Sequence, residues 1–301
     1  MAWTADDIPS QEGRLALVTG ANSGLGLATI QALAARQATV ILACRSSRKA
    51  EAAQQQLEDQ GLSRLELLEL DLADLSSVQR AAESVRDRYG HLDLLINNAG
   101  VMAPPRRTTV QGHELQFGVN HLGHQALTQA LLPLMENRPD ARVVTVTSGA
   151  QYFGRIHWDD PNWEQRYERY GAYGQSKLAN VMFALELDAR LRQRSSTIRS
   201  LAAHPGLART QLQPTAIASG GNGAEALVYR LMDPLFQSAA MGALPQLHAA
   251  TAPSAQGGEH YGPNRFGGLR GHPSRCRVAP TANNPVERER LWNLSEQLIG
   301  A

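Results

Sequence analysis

An α/β fold built on a doubly wound parallel sheet, with helices on both faces, is what this 301-residue sequence predicts. Short apolar runs alternate with longer helical patterns over the first two-thirds of the chain. Most of the runs lack the polar alternation of a sheet with one wet face, so both faces should be covered. No repeat, low-complexity tract or linker divides the sequence, and residues 1–301 read as one domain.

The strand-like runs are residues 15–19, 39–43, 65–70, 92–96, 142–147 and 197–203. Between them, helical patterns cover 25–36, 48–60, 75–89, 112–136 and 173–194. Right-handed crossovers then place helices on both faces. Two segments break the rhythm: 149–170, aromatic and charged, and 205–223, rich in Gly, Pro and small residues. Both begin at a strand C-terminus, where loops of such a fold carry function. A further helical pattern spans 224–250, and the Gly/Pro/Arg-rich tail from Pro253 shows no assignable period.

Composition excludes some functions. The net charge of +1 gives no bulk attraction to nucleic acid or acidic membranes. Cys44 and Cys276 are too few for a disulfide framework, so a reducing, cytoplasmic setting is expected. The N-terminus lacks the basic and apolar regions of a signal peptide, and no run of 18 apolar residues suggests a transmembrane helix.

The chemistry starts after the first strand, at Thr19-Gly20-Ala21-Asn22-Ser23-Gly24-Leu25-Gly26. Glycines there permit a tight turn and let backbone amides approach a pyrophosphate at a helix N-terminus. Arg45, about 20 residues beyond the glycines, occupies the place where a carboxylate would hold the ribose of NAD and an arginine a 2′-phosphate. Read alone, it could also be a solvated basic helix start. Tyr173 and Lys177 are four apart in a helical stretch, on one face. An ammonium beside a phenol favours phenolate, and a depression of about two to three units would bring Tyr173 near working pH. Ser148 follows the strand 142–147 and can donate to a substrate oxygen as charge develops there. Thr147 is its competitor, and a strand-exit cap is the plain alternative. His121 and His124 have no partners at metal-ligand spacing and read as structural; no metal site is expected.

The ordered set T-G-x-x-x-G-x-G, Asp71, Asn97-Asn98-Ala99-Gly100, Asn120, Ser148, Tyr173-x-x-x-Lys177 and Pro205-Gly206 resembles the short-chain dehydrogenase/reductase family from about Gly13 to Tyr261. The tracts 117–128 and 172–180, with the long gap from Ser148 to Tyr173, resemble its retinol-dehydrogenase-like branch. That resemblance implies a Rossmann-type fold and an NADP(H)-dependent enzyme interconverting a lipophilic alcohol and its carbonyl, with NAD(H) as the secondary cofactor. It implies a catalytic set of Asn120, Ser148, Tyr173 and Lys177, with Asn120 holding a water that links Lys177 to solvent. The implied cofactor set is Gly20, Asn22, Ser23, Gly24, Leu25, Gly26, Arg45, Asp71, Leu72, Asn98, Ala99, Gly100, Tyr173, Lys177, Pro205, Gly206 and Thr210. Asp71 would meet the adenine amino group, or else cap the next helix. Ala208 stands where the family usually has valine, which loosens the packing expected against the nicotinamide ring. Tyr152, Phe153, Trp158, Trp163, Leu207 and Leu212 are candidate walls of an apolar pocket, though half could as well be core or interface. A homodimer or homotetramer through the helices 112–136 and 173–194 follows from the same resemblance. Two other classes remain open on sequence alone: a dinucleotide-binding redox sensor with little turnover, and an assembly subunit.

Overall fold

A computed structural model describes residues 2–209 and 236–300. Thr210, Leu212 and most of the 205–223 segment lie outside the described residues. Eight strands form one sheet in the order β3-β2-β1-β4-β5-β6-β7-β8. They are β1 Leu15–Thr19, β2 Thr39–Cys44, β3 Leu65–Glu69, β4 Leu94–Asn97, β5 Arg142–Val146, β6 Arg199–Ala203, β7 His260–Arg265 and β8 Arg270–Arg275. The first seven run parallel, and β8 returns antiparallel along β7. Strand order reverses between β1 and β4, so a crevice opens beyond their C-terminal ends.

The period-two geometry of strands sorts the apolar residues into two cores. Ala16, Val18, Val40, Leu42, Leu94 and Ile96 face helices α1 (Gly24–Ala35) and α6 (Ala239–Thr251). On the opposite face, Leu15, Leu17, Ile41, Leu95 and Val143 pack with α3 (Leu75–Tyr89), α4 (residues 115–135) and α5 (Arg169–Gln193). Each such fully buried aliphatic side chain contributes about 1.5–3 kcal/mol. Helix α2 (Ser47–Glu58) covers the β2–β3 edge.

Helix α4 is composite: a turn at Leu115–Phe117, a π-helical segment Gly118–Leu122, then regular helix Gly123–Met135. Asn120 sits inside the π segment, where the widened turn frees its backbone for other partners. Helix α5 begins at Arg169, four residues before the expected Tyr173, and the Gln116 amide donates to the Arg169 carbonyl at 2.9 Å. Within the 224–250 pattern the described helix starts only at Ala239, capped by Ser238.

The tail, which periodicity left unassigned, builds β7, β8 and helix α7 (Pro285–Ile299). Helix α7 lies on α5: Trp292 stacks on Phe183 at 5.7 Å, and Arg190 sits 4.4 Å over the Trp292 ring. Part of the helix surface assigned from sequence to subunit contact is therefore covered by the chain's own C-terminus. Among the described residues, no helix is long and apolar enough to cross a membrane.

Candidate active site

The turn after β1 is shaped by exclusion. Gly20 (φ +66°) and Gly24 (φ +54°) adopt left-handed backbone. A Cβ on Gly26 would lie 2.3 Å from the Gly20 carbonyl oxygen, so only glycine lets the helix start close against the turn. Ser23 is the N-cap of α1, yet its side chain makes no cap hydrogen bond, so the first amides of the helix remain directed outward. Gly20, Asn22, Ser23, Gly24, Leu25, Gly26, Arg45, Asp71, Leu72, Asn98, Ala99 and Gly100 all line one cleft at the crevice.

Thr19 organises the floor of that cleft. Its hydroxyl oxygen accepts from the Asn98 and Ala99 amides, both at 2.9 Å. Its proton is thus directed at His124 Nε2, 2.8 Å away. His124 must then donate from Nδ1, and it does so to the Asn120 carbonyl at 3.0 Å. Asn98 ties back through its amide to the Thr19 carbonyl at 2.8 Å, whereas Asn97 turns to Thr128 at 2.9 Å and serves the core. Asp71 does not cap α3: Asp74 does, accepting from Ser76 N–H at 3.0 Å. The Asp71 carboxylate instead accepts from Ala73 N–H at 2.9 Å and lines the cleft. Arg45 is exposed at the cleft rim and makes no ion pair or hydrogen bond with a described residue.

Behind the same cleft, Tyr173 is hydrogen-bonded to Ser148. Lys177 Nζ lies 5.8 Å from the centre of the Tyr173 ring and donates to the Val146 carbonyl at 3.3 Å. Gly100 joins the two regions, since a Cβ there would stand 3.5 Å from Lys177 Nζ and 3.2 Å from Asn120 Oδ1. Thr147 donates to the Lys177 carbonyl at 2.6 Å, which leaves Ser148 as the hydroxyl beside the phenol. Asn120 Oδ1 accepts from Val101 N–H at 2.8 Å, and its amide donates to the Val101 carbonyl at 3.0 Å and to Ser176 Oγ at 2.9 Å. The side chain is thus committed to Val101 and Ser176.

The short chain dehydrogenase family profile matches residues 14–219. The chain belongs to the short-chain dehydrogenase family. It is 39% identical to retinol dehydrogenase 12 of Homo sapiens over 96% of this chain and 87% of that protein. It is 38% identical to retinol dehydrogenase 13 of Homo sapiens, over 96% of this chain and 85% of that one. Among solved structures, an uncharacterised protein from Mycobacterium Paratuberculosis superposes with a TM-score of 0.82 at 41% identity, covering 100% of this chain and 98% of that one. This short-chain dehydrogenase is thus an NAD(P)(H)-dependent oxidoreductase acting on CH–OH groups.

A dinucleotide suits the dehydrogenase's cleft: uncapped helix amides face it, and glycine packing brings backbone close to it. Electrostatics in the protein alone differ from the sequence expectation. Burial pushes the Tyr173 phenol up to about 12, and the Ser148 hydrogen bond offsets this only in part. Burial also pushes Lys177 down to about 8. In the protein alone, burial of the Tyr173 phenol outweighs the lowering expected from an ammonium 5.8 Å from the ring.

Pro205, Gly206 and Leu207 are held by Gln237 and by Leu269 of the tail. The Gln237 amide donates to the Pro205 carbonyl at 2.9 Å, and Leu207 N–H donates to the Leu269 carbonyl at 2.8 Å. A Cβ on Gly206 (φ +66°) would meet that same Leu269 oxygen at 2.4 Å. Of the aromatic wall candidates, Trp163 is buried against His157 (4.2 Å) and Trp158 lies under Arg290 (4.2 Å). Tyr152 and Phe153 are exposed on the Ser148 exit, and Phe153 reaches Gly174 beside Tyr173. Sequence reasoning missed Thr19 and His124 as the link between turn and helix. Thr19 opened the glycine motif, but nothing local marked its partner 105 residues away.

Proposed function

We propose that this dehydrogenase uses NADP(H) to interconvert a lipophilic alcohol and its aldehyde or ketone, with Tyr173 as the acid/base. The convergence of Tyr173, Ser148 and Lys177 beside the cleft carries the reading. The bound nicotinamide supplies or accepts the hydride. Gly20, Asn22, Ser23, Gly24, Leu25 and Gly26 hold the pyrophosphate through backbone amides, while Asp71, Leu72, Asn98, Ala99 and Gly100 line the adenosine side. Arg45, exposed at the rim, holds the 2′-phosphate. Pro205 and Gly206 serve the nicotinamide end.

In reduction, Ser148 Oγ orients the carbonyl oxygen and Tyr173 gives it a proton. A phenol that burial keeps protonated is already the acid this direction requires. In oxidation the phenolate is needed, and the positive charge of the oxidised ring adds to that of Lys177 in favouring it. Lys177 also positions the nicotinamide ribose, and the Asn120 carbonyl anchors the water through which Lys177 exchanges its proton. Exposed Tyr152 and Phe153 beside Ser148, together with the retinol dehydrogenase names of the relatives, support an apolar substrate. Pairing of two copies through the exposed parts of α4 and α5 completes the proposal.

NADPH oxidation over a panel of apolar carbonyls tests it. Tyr173→Phe should keep cofactor binding and lose about 10²–10⁴-fold in turnover; retained turnover refutes the acid/base role. Arg45→Ala should cut the preference for NADPH over NADH by about tenfold or more. An unchanged ratio removes the phosphate contact.

A further inference from the structure

Three strand ends at the far edge of the sheet bring soft donors together. His204 leaves β6 directly before Pro205, His260 opens β7, and Cys276 follows the last residue of β8. One donor atom from each lies within 4.8 Å of the others. Sheet pairing fixes the positions: Ala202 and Ala203 are in register with His260 and Tyr261, and Cys276 N–H donates to the His260 carbonyl at 2.8 Å. His204 occupies the space that a side chain at Gly262 would take, since a Cβ there would stand 2.0 Å from His204 Nε2. Both histidines are buried, and Cys276 is half-buried at the open side.

We propose that His204, His260 and Cys276 form a zinc-binding site separate from the catalytic cleft. Two imidazoles and a sulfur suit Zn²⁺, and the absence of a carboxylate from the trio disfavours Mg²⁺ or Ca²⁺. Ligands of one tetrahedral zinc stand about 3.3–3.6 Å apart. One donor atom of each residue already lies within 4.8 Å of the others, so closure to those separations takes side-chain shifts of about one ångström. His260 Nδ1 lies 2.9 Å from the Arg277 carbonyl, the outer contact that leaves the other ring nitrogen its lone pair for a cation. The Gln151 amide, 3.4 Å from His260 Nε2, swings aside to admit it. Ligation replaces the thiol proton, which passes to solvent, and water from the Cys276 side takes the fourth position. The bound ion would pin β6, β7 and β8 together at the start of the substrate segment. It would also reach the Ser148 exit, because Tyr152 Oη donates at 2.7 Å to the same Arg277 carbonyl.

The test uses the full chain without a polyhistidine tag, stripped with a chelator and titrated with Zn²⁺ and with Co²⁺. One equivalent of Zn²⁺ should bind with a dissociation constant below about 1 µM and raise the melting temperature. Co²⁺ should show a thiolate charge-transfer band that Cys276→Ser abolishes, and His260→Gln should weaken Zn²⁺ binding at least tenfold. In the unaltered chain, Zn²⁺ should slow alkylation of Cys276, read by peptide mass to separate it from Cys44. No stoichiometric binding, binding unchanged in both variants, or alkylation unaffected by Zn²⁺ overturns the site. Because the cleft residues are untouched, these outcomes are independent of the Tyr173 and Arg45 experiments.

Discussion

The phosphate turn and the C-terminal third solve different problems with different materials. Around Gly20 and Gly26 the side chains are removed, so that backbone approaches backbone and helix amides stay unspent. From β7 to α7 the opposite holds: large side chains such as Trp292, His260 and Tyr261 reach across long sequence distances to seal the sheet edge and the flank of α5. The first arrangement is local and tolerates no added atom. The second is distributed and should lose stability by degrees.

Substitutions can break that contrast. Gly26→Ala places a methyl group 2.3 Å from the Gly20 carbonyl. It should weaken dinucleotide binding about a hundredfold, or about 2.7 kcal/mol, by calorimetric titration with little change in the far-ultraviolet spectrum. Trp292→Ala removes a buried ring stacked on Phe183. Chemical denaturation should show a loss of about 3–5 kcal/mol, with the cofactor dissociation constant of the folded protein unchanged. If Trp292→Ala shifted cofactor affinity as strongly as Gly26→Ala, the two regions would not be separable.

A smaller effect sharpens the comparison through pH. Burial depresses His121 to about 3 and His124 to about 4. His121 ties α4 to α7 through Ser295 at 2.8 Å, and His124 ties α4 to the phosphate turn. Both stay neutral when folded and take up protons near their ordinary 6.5 when unfolded. Their contribution is therefore complete above about pH 6.5 and is lost as pH falls toward about 4. Denaturation at stepped pH should show stability declining by up to about 1.4 kcal/mol per pH unit for each histidine in that window. A flat profile between pH 6.5 and 4.5 would mean that neither is held neutral by the fold.

The contrast also explains what could be read from sequence. Strand periodicity and the glycine turn are local, so the six expected strands appear with ends moved by no more than two residues. The cleft-lining residues Gly20, Asn22 to Gly26, Asp71 and Asn98 to Gly100 share one crevice because strand C-termini of a parallel sheet share one edge. The tail was illegible because β7 and β8 carry Gly, Pro and Arg rather than branched apolar residues. They are held by pairing with β6 and each other, which no local pattern encodes. Sequence spacing reveals a neighbouring charge but not the depth of burial, which in the protein alone pushes the phenol up.

The hydroxyl at position 19 has a consequence for which residues can stand there. It accepts twice and gives once, serving two amides and one imidazole within 2.9 Å. Valine copies its shape and would leave all three partners unanswered in a dry interior, whereas serine keeps the oxygen and sheds only a methyl group. Any natural or designed variant that keeps this enzyme working should therefore show Thr or Ser there, and a swap to Val should cost far more than its near-identical volume implies.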